Sequence, residues 1–228
     1  MPSRRTLVYL MLAGALTVAW LSWREVSARR QRREALAPVI TKQAVNFALR
    51  NFDPANPPSD MPPLYPGEEA RCDSDFGSNA HVDGETGPTD ATHANLTITR
   101  ISVALRLNVI IWVPAGASQR ILEHEDGHRQ ISEYYYQTAD QLAARIAGTY
   151  TGQEIALSGP DLNAESTKAL QQIATEITDE YNRELNAQSA QLLFDGITDH
   201  GRNGVVVKEA IAHALKNAAI ESPQPASP

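Results

Sequence analysis

The sequence predicts an α+β fold that follows an N-terminal membrane segment, and three observations carry this prediction. One stretch alternates between apolar and polar residues with period two, which indicates a strand, and later stretches carry apolar residues at helical spacing. A third stretch, at the N-terminus, is almost wholly apolar. The chain has 228 residues, of which 42% are hydrophobic and 6% aromatic. This length suits one domain with extensions, and its core should be mainly aliphatic.

The N-terminal apolar stretch runs from Leu7 to Trp23 and follows Arg4 and Arg5. This order is the form of an export signal, and the run is close to the minimum of roughly 17 residues that can cross a bilayer. We expect either a signal cleaved near Val26-Ser27-Ala28 or a retained inner-membrane anchor, with the protein periplasmic or extracellular. Five arginines between residues 24 and 33 would by themselves favour a cytoplasmic C-terminal domain.

A proline-rich region separates this segment from the alternating stretch. Residues 37 to 50 could form a short strand or helix, whereas six prolines fall between Pro54 and Pro66. Proline cannot occupy a helix interior, and Gly, Asp and Ser continue to Asp90, so a long loop is predicted there. The predicted divisions are residues 1–36 (signal or anchor with a basic spacer), 37–92 (an extended Pro-rich region), 93–220 (the main domain) and 221–228 (a disordered tail).

The alternating stretch follows the predicted loop. The odd positions from Ile101 to Val113 are all apolar, while several of the even positions are polar, which predicts a half-buried strand. Leu96 and Ile98 alternate on the opposite parity, which predicts either a bulge or a break between two strands. Pro114-Ala115-Gly116 then ends the extended segment.

The remainder of the chain is predicted to be helical. Residues 117 to 149 are predicted as one long helix, with Ser118 as its N-cap and Gly148 near its C-terminal cap. A second long helix is predicted from about Ala164 to Asp195, and a short one from about Val207 to Ile220.

The first predicted helix contains His124-Glu125-Asp126-Gly127-His128, an H-E-x-x-H motif. The spacing puts both histidines on one helix face with Cβ atoms roughly 5–6 Å apart, so both imidazoles can reach one ion at about 2.0–2.1 Å. Glu125 lies beside them and can pass a proton from a zinc-bound water to a leaving amine. The motif therefore predicts one Zn²⁺ ion per chain and peptide-bond hydrolysis. The alternative is a pair of surface histidines on a solvated helix.

A catalytic zinc site needs a third protein ligand and an open position for water. The metzincin pattern would place histidine at position 134, where this chain has Tyr134, so that subclass is excluded. Glu176 and Glu180 on the second predicted helix are thermolysin-like candidates for the third ligand.

His200 is the other candidate for the third ligand. A ligand histidine usually donates its second N–H to a carboxylate or carbonyl, and Asp195 and Asp199 are both close in sequence. Gly201 would let the chain turn sharply after His200. The alternative is a polar helix C-terminus, where histidine is also favoured by the helix dipole.

The H-E-x-x-H motif and the later segment Asp195-x-x-Thr198-x-His200-Gly201 together resemble a domain-of-unknown-function family described as bacterial secreted zinc-dependent proteases. The resemblance covers roughly residues 80 to 206. It implies a zincin-like fold, in which a small antiparallel sheet packs on long helices, with residues 93–220 as the catalytic domain. The roles it implies are zinc ligation by His124, His128 and His200, general-base catalysis by Glu125, and a supporting role for Asp195 and Thr198.

Two positions depart from the pattern of that family. Phe194 stands where tyrosine is usual, and Cys72 is the only cysteine, so the disulfide that members often have cannot form within the chain. We interpret Cys72 as a packing residue, because no base is evident nearby in sequence. In zincins the substrate commonly lies along an edge strand, and residues 96 to 113 could provide that strand.

The function that these observations predict is that of a zinc metalloendopeptidase acting on protein or peptide substrates outside the cytoplasm. The net charge of −7 gives no general signature of nucleic-acid binding, and no glycine-rich phosphate-binding motif is present. The alternative is a non-catalytic cell-envelope protein whose metal site is structural or absent.

Overall fold

The computed structural model describes residues 37–65 and 67–221. The predicted membrane segment, its basic spacer and the predicted tail beyond residue 221 lie outside these residues. Within the described part of the chain, no helix combines the length and apolar character needed to cross a bilayer.

Five strands and five helices fall within the described residues. They are β1 (Val39–Lys42), β2 (Asn46–Phe52), β3 (Arg71–Pro88), β4 (His93–Pro114), α1 (Gln119–Gln137), α2 (Ala139–Tyr150), β5 (Glu154–Ser158), α3 (Leu162–Glu184), α4 (Gln188–Thr198) and α5 (Val207–Glu221). All five strands belong to one sheet. In the sequence, β1 to β4 precede all the helices, and only β5 lies between two helices. The predicted α+β class is therefore confirmed.

β4 is the centre of the sheet because every other strand pairs with it. β3 runs antiparallel along one edge of β4, while β5, β1 and β2 follow one another along its other edge. β5 is antiparallel to β4, but β1 and β2 are parallel to it, so the sheet is mixed and the prediction of an antiparallel sheet was wrong for these two strands. Residues 43–45 carry the chain directly from β1 to β2 along the same edge, so both strands keep one direction.

The change of parity within β4 is a β-bulge, and the alternative of two separate strands was wrong. The pairing register shifts between Asp83 and Gly84 of β3, and Thr99 is the extra residue on β4. The bulge lets Leu96 and Ile98 remain fully buried on the same side of the sheet as Ile101.

Residues 71–88 were predicted as loop, and this prediction was wrong because they form the 18-residue strand β3. Several of its positions on the packed side are small, such as Cys72, Ser74 and Ala80, so the alternation is hard to read from hydrophobicity. Pairing with β4 along almost its whole length holds the strand in place. The predicted boundary at residue 93 therefore falls inside the sheet. β4 is an internal strand, whereas β3, like the other strands among the described residues, has a free edge on the side away from β4.

Both long predicted helices are interrupted. The first divides into α1 and α2 at Thr138, and the second divides into α3 and α4 across residues 185–187. Ser118 is the N-cap as predicted, accepting a hydrogen bond from the Ile121 N–H at 3.3 Å. Gly148 lies inside α2, which continues to Tyr150, so its predicted capping role was wrong. The predicted short helix near the C-terminus is confirmed as α5.

The helices form two layers on one face of the sheet. The main core joins the buried side chains of β4, such as Leu105 and Leu107, to α2 and α3. α4 and α5 contact α1 and each other but not the sheet. A second core of Ile131, Phe194 and the alanines of α5 joins these three helices. Because α1 lies between the sheet and α4, the polar residues of its H-E-x-x-H motif are enclosed on two sides.

Candidate metal centre

The H-E-x-x-H motif lies on α1 where that helix faces α4. His124 is 4% exposed and Glu125 is 5% exposed, so the motif is not on a solvated helix surface. The two helices run in opposite directions, since His124 contacts Thr198 near the end of α4 and His128 contacts Gln191 near its start. Two helical segments far apart in sequence thus supply the polar groups of one site.

Phe194 packs against both histidine rings of the motif. Its ring is stacked on His124 with centroids 5.1 Å apart, and it meets His128 edge to face at 5.0 Å. This approach needs the glycine between them, because a Cβ atom at Gly127 would lie 2.4 Å from Phe194 Cζ. The second x position of the motif, Gly127, is therefore constrained by packing.

Three potential ligand atoms converge between α1 and α4. His128 Nε2 lies 2.9 Å from Asp195 Oδ1, His124 Nε2 lies 3.3 Å from the same oxygen, and the two Nε2 atoms are 3.2 Å apart. In a tetrahedral zinc site with bonds of about 2.0–2.1 Å, neighbouring ligand atoms are about 3.3 Å apart. The ligand atoms of His124, His128 and Asp195 are thus spaced as in a zinc coordination sphere. Within the described residues, these three side chains form a group that could hold a metal ion.

The other ring nitrogens of both histidines have hydrogen-bond acceptors. Thr198 Oγ1 donates its single hydrogen to the Phe194 carbonyl at 2.7 Å, so it accepts from His124 Nδ1 at 3.2 Å. The side-chain oxygen of Gln191 lies 2.5 Å from His128 Nδ1 and can only accept. Both rings therefore carry a proton on Nδ1 and turn Nε2 towards Asp195.

The charges at this site respond to the same contacts. Burial alone would raise the pKa of Asp195, but its contacts with the imidazoles of His124 and His128 outweigh it and hold that pKa well below its usual range. Burial lowers the pKa of His124. Burial also acts to lower the pKa of His128, but its contacts with Asp195 raise that pKa overall. The position between the three side chains therefore favours positive charge.

Glu125 points from the motif towards β3. Burial raises the pKa of its carboxyl group to about 7, although the nearby Cys72 backbone N–H acts to lower it. The Cys72 thiol is 3.9 Å from Ser74 Oγ, and burial together with the Glu125 carboxylate raises the thiol pKa to about 12. A thiol with this pKa stays protonated near neutral pH, which agrees with its interpretation as a packing residue.

His200 lies beside the converging atoms but outside their group. Its Nδ1 is 3.7 Å from Asp195 Oδ1, and its side chain is 45% exposed. Three successive residues, Asp199, His200 and Gly201, adopt left-handed backbone conformations, with φ of 48°, 51° and 77°. The sharp turn predicted at Gly201 is therefore confirmed. A Cβ atom there would lie 2.9 Å from His124 Cβ, so glycine also allows the turn to pack on the motif.

The thermolysin-like candidates for the third ligand lie elsewhere. Glu176 and Glu180 are on α3, close to Tyr150, and burial of that tyrosine together with their charges raises its pKa. Neither glutamate lines the space next to the motif. The structure therefore does not bring them to the site.

An open cleft of about 740 Å³ exposes the converging atoms to solvent. Its walls are the start of β3 with the segment before it, one face of α1, and the side of α4 with the turn that follows. We call this space the histidine cleft. Its polar lining includes Glu68, Ser74, His124, Glu125, His128, Gln191, Asp195 and His200.

Sequence reasoning missed Gln191 and Ser132. Gln191 precedes Asp195 by four residues and Thr198 by seven, so all three lie on one face of α4. Ser132 follows His128 by four residues on α1 and is fully buried. Helical spacing from the predicted ligands could have pointed to both residues, had the helix boundaries been known.

Comparisons with protein-family models, curated proteins and solved structures found no match for this chain. The resemblance to secreted zinc-dependent proteases therefore rests on the two sequence motifs alone.

Proposed function

We propose that this protein is a zincin-like, zinc-dependent endopeptidase that acts on protein or peptide substrates outside the cytoplasm. The observation that carries the proposal is the convergence of His124 Nε2, His128 Nε2 and Asp195 Oδ1 within 2.9–3.3 Å of one another. In this proposal Asp195 is the third ligand, and His200 lies next to the open coordination position.

The hydrogen bonds around the two rings support a cation at the point of convergence. With a proton fixed on each Nδ1, each neutral ring presents a lone pair from Nε2, and Asp195 adds a carboxylate oxygen. Three such atoms in close contact repel one another unless positive charge lies between them. Two imidazole nitrogens and one carboxylate oxygen are a common ligand set of catalytic Zn²⁺. When bound, Zn²⁺ supplies Lewis acidity and lowers the pKa of a coordinated water towards roughly 7.

Glu125 is the general base of the proposal. It follows a ligand directly in sequence, is buried, and faces the cleft wall formed by β3. A buried carboxylate so placed can accept a proton from the attacking water and transfer it to the departing amine.

The shape of the histidine cleft favours an extended peptide as substrate. β3 borders the cleft through Arg71, Cys72 and Ser74, and its edge away from β4 has no partner strand among the described residues. Unpaired backbone groups on such an edge can hydrogen-bond to an extended chain. In this proposal the substrate therefore lies along β3, and not along residues 96 to 113 as the sequence predicted.

The test is a comparison of Glu125→Gln with wild type and with Glu123→Gln. Glu123 is exposed, lies two residues away on the same helix, and bonds to Gln119 at 3.1 Å, so its variant controls for loss of a nearby charge. We expect one zinc per chain in all three proteins. Hydrolysis of an unstructured protein such as casein should fall by roughly 10²–10⁴-fold in Glu125→Gln alone.

Three results would contradict this proposal. The absence of zinc from wild type after purification with added Zn²⁺ would remove the metal site. Equal hydrolysis by Glu125→Gln and wild type would remove the general base. Zinc binding without any hydrolysis by wild type would favour the structural-metal alternative.

A further inference from the structure

Gln191 occupies a particular position among the side chains around His128. It lies on α4, one turn before Asp195, and its side chain reaches α1 at the same level as His128 and Ser132. The amide itself is uncharged, so Gln191 has to act through the direction of its hydrogen bonds.

Both ends of the Gln191 amide are used. The oxygen Oε1 faces His128 Nδ1 at 2.5 Å, while the nitrogen Nε2 donates to the His128 backbone carbonyl at 3.1 Å and to Ser132 Oγ at 3.0 Å. His128 is thus contacted twice by the same amide, at its ring and at its backbone.

These contacts fix the orientation of the amide. A backbone carbonyl can only accept, so the end of Gln191 that meets the His128 carbonyl must be the NH₂ group. The oxygen must then face the ring, and an oxygen can only accept a hydrogen bond there. His128 Nδ1 is therefore the protonated nitrogen in the neutral ring, and Nε2 is left free for the metal.

Ser132 extends the arrangement to the wall of the histidine cleft. Its hydroxyl lies 2.8 Å from Ser74 Oγ on β3 and 3.1 Å from the His128 carbonyl. Because Ser132 is fully buried, water does not compete for these bonds. The orientation of Gln191 is thus supported from both α1 and β3.

We infer that Gln191 is a positioning residue, which holds His128 in the Nδ1–H tautomer and aims its Nε2 at the metal position. This inference rests on the proposed function, since it concerns the orientation of His128 as a zinc ligand. His124 has only the hydroxyl of Thr198 as its counterpart acceptor, at 3.2 Å. The hydroxyl is anchored only within α4, to the Phe194 carbonyl at 2.7 Å, whereas the amide is anchored on α1 beside the ring that it faces. The effect of losing Gln191 should therefore exceed that of losing Thr198.

The experiment compares zinc affinity, measured by competition with a chromophoric chelator, in three variants. Gln191→Leu removes both hydrogen-bonding ends with little change of volume, and we expect its zinc affinity to fall by about 10–100-fold. Gln191→Glu keeps an acceptor opposite Nδ1 but loses the donor to the His128 carbonyl, so it should recover part of that loss. Gln172→Leu is the matched control, because Gln172 is exposed on α3 and bonds only to Glu176 within the described residues. It should bind zinc as wild type does.

A second measurement needs no variant. Nitrogen-15 chemical shifts of His128 in the zinc-loaded protein should show a protonated Nδ1 and a metal-bound Nε2. The same spectra of the metal-free protein, recorded at a pH where His128 is neutral, should show the proton on Nδ1, which a purely structural role for Gln191 would not require.

Several outcomes would overturn the inference. These are zinc affinity in Gln191→Leu equal to wild type, zinc affinity in Gln191→Glu as poor as in Gln191→Leu, or a proton on Nε2 of neutral His128. If wild type binds no zinc, the proposed function fails, and the tautomer in the metal-free protein still decides whether Gln191 orients the ring. If Gln191→Leu does not fold, Gln191→Glu and the spectra of wild type carry the test.

Discussion

Two concave spaces border α1, and only one of them has the features of a reaction site. The histidine cleft has a volume of about 740 Å³, whereas the second space, which we call the β2 groove, has about 940 Å³. The β2 groove lies between β2, α1 and the segment that leads into α5, and it contacts His124 as well. Its lining includes the exposed apolar residues Phe47, Leu49, Val205 and Val206.

The two spaces differ in how their charged groups are partnered. In the β2 groove, Asp126 is bonded to Arg129 at 2.7 Å and to Gln130 at 2.8 Å, all on α1. In the histidine cleft, Asp195 faces two imidazoles from a different helix, and its pKa is lowered by them. Neither volume nor the presence of a carboxylate separates the spaces. The histidine cleft differs from the β2 groove because lone pairs from two separate helices converge in it.

The largest expected effect comes from exchanging one aspartate in each space for asparagine. Asp195→Asn replaces an anionic ligand with a neutral amide, and we expect zinc affinity to fall by more than about 100-fold, beyond what loss of an outer hydrogen bond causes. Asp126→Asn breaks only local bonds on α1 and should keep zinc and hydrolysis. Metal content after dialysis against a weak chelator measures both variants.

The same assay separates Asp195 from His200 as the third ligand. If Asp195 is the ligand, His200→Asn keeps its zinc through that dialysis. Zinc lost from His200→Asn but retained by Asp195→Asn would instead support the ligand set that the sequence motif implies.

An intermediate effect is expected from adding one methyl group to a helix glycine. Gly127→Ala places a Cβ atom 2.4 Å from the buried Phe194 ring, and such overpacking costs about 1–3 kcal/mol. Gly148→Ala meets nothing within 4 Å on α2, so the better helix propensity of alanine should stabilise that variant by up to about 1 kcal/mol. Urea unfolding gives both free energies, and stabilisation of Gly127→Ala would show that Phe194 is not held against the motif.

The smallest effect is expected in the β2 groove itself. Leu49 is 53% exposed, and substitutions at such surface positions usually change stability by no more than about 0.5 kcal/mol. Leu49→Ser should therefore unfold at nearly the wild-type urea concentration and cleave substrate at the wild-type rate. A clear loss of cleavage in this variant would mean that the β2 groove takes part in the reaction, and the contrast between the two spaces would be lost.

The parts of this molecule that local spacing determines could be predicted from the sequence. The alternation from Ile101 to Val113 predicted β4, and the parity change at Leu96 and Ile98 allowed for its bulge. The separation of four residues between His124 and His128 predicted their common helix face. In each case the structure follows from the period of one element, without knowledge of what packs against it.

The parts that tertiary contacts determine could not be predicted in this way. β3 is held by its pairing with β4, and small residues such as Ser74 gave no hydrophobic signal. The break at residues 185–187 moves α4 away from the axis of α3, and this turn brings Asp195 to face the motif. A sequence interpretation with one uninterrupted helix there could name Asp195 and His200 as neighbours, but it could not rank their distances from the two histidines.

The pairing of every strand with β4 has a consequence for the order in which the protein can be assembled. β1, β2 and β3 all precede β4 in the chain, and within the described residues none of them pairs with another. During synthesis these three strands therefore have no sheet partner until residues 93–114 have been made. Strands β1 to β3 stay without a sheet partner over that interval, so the sheet can form only after β4 has left the site of synthesis.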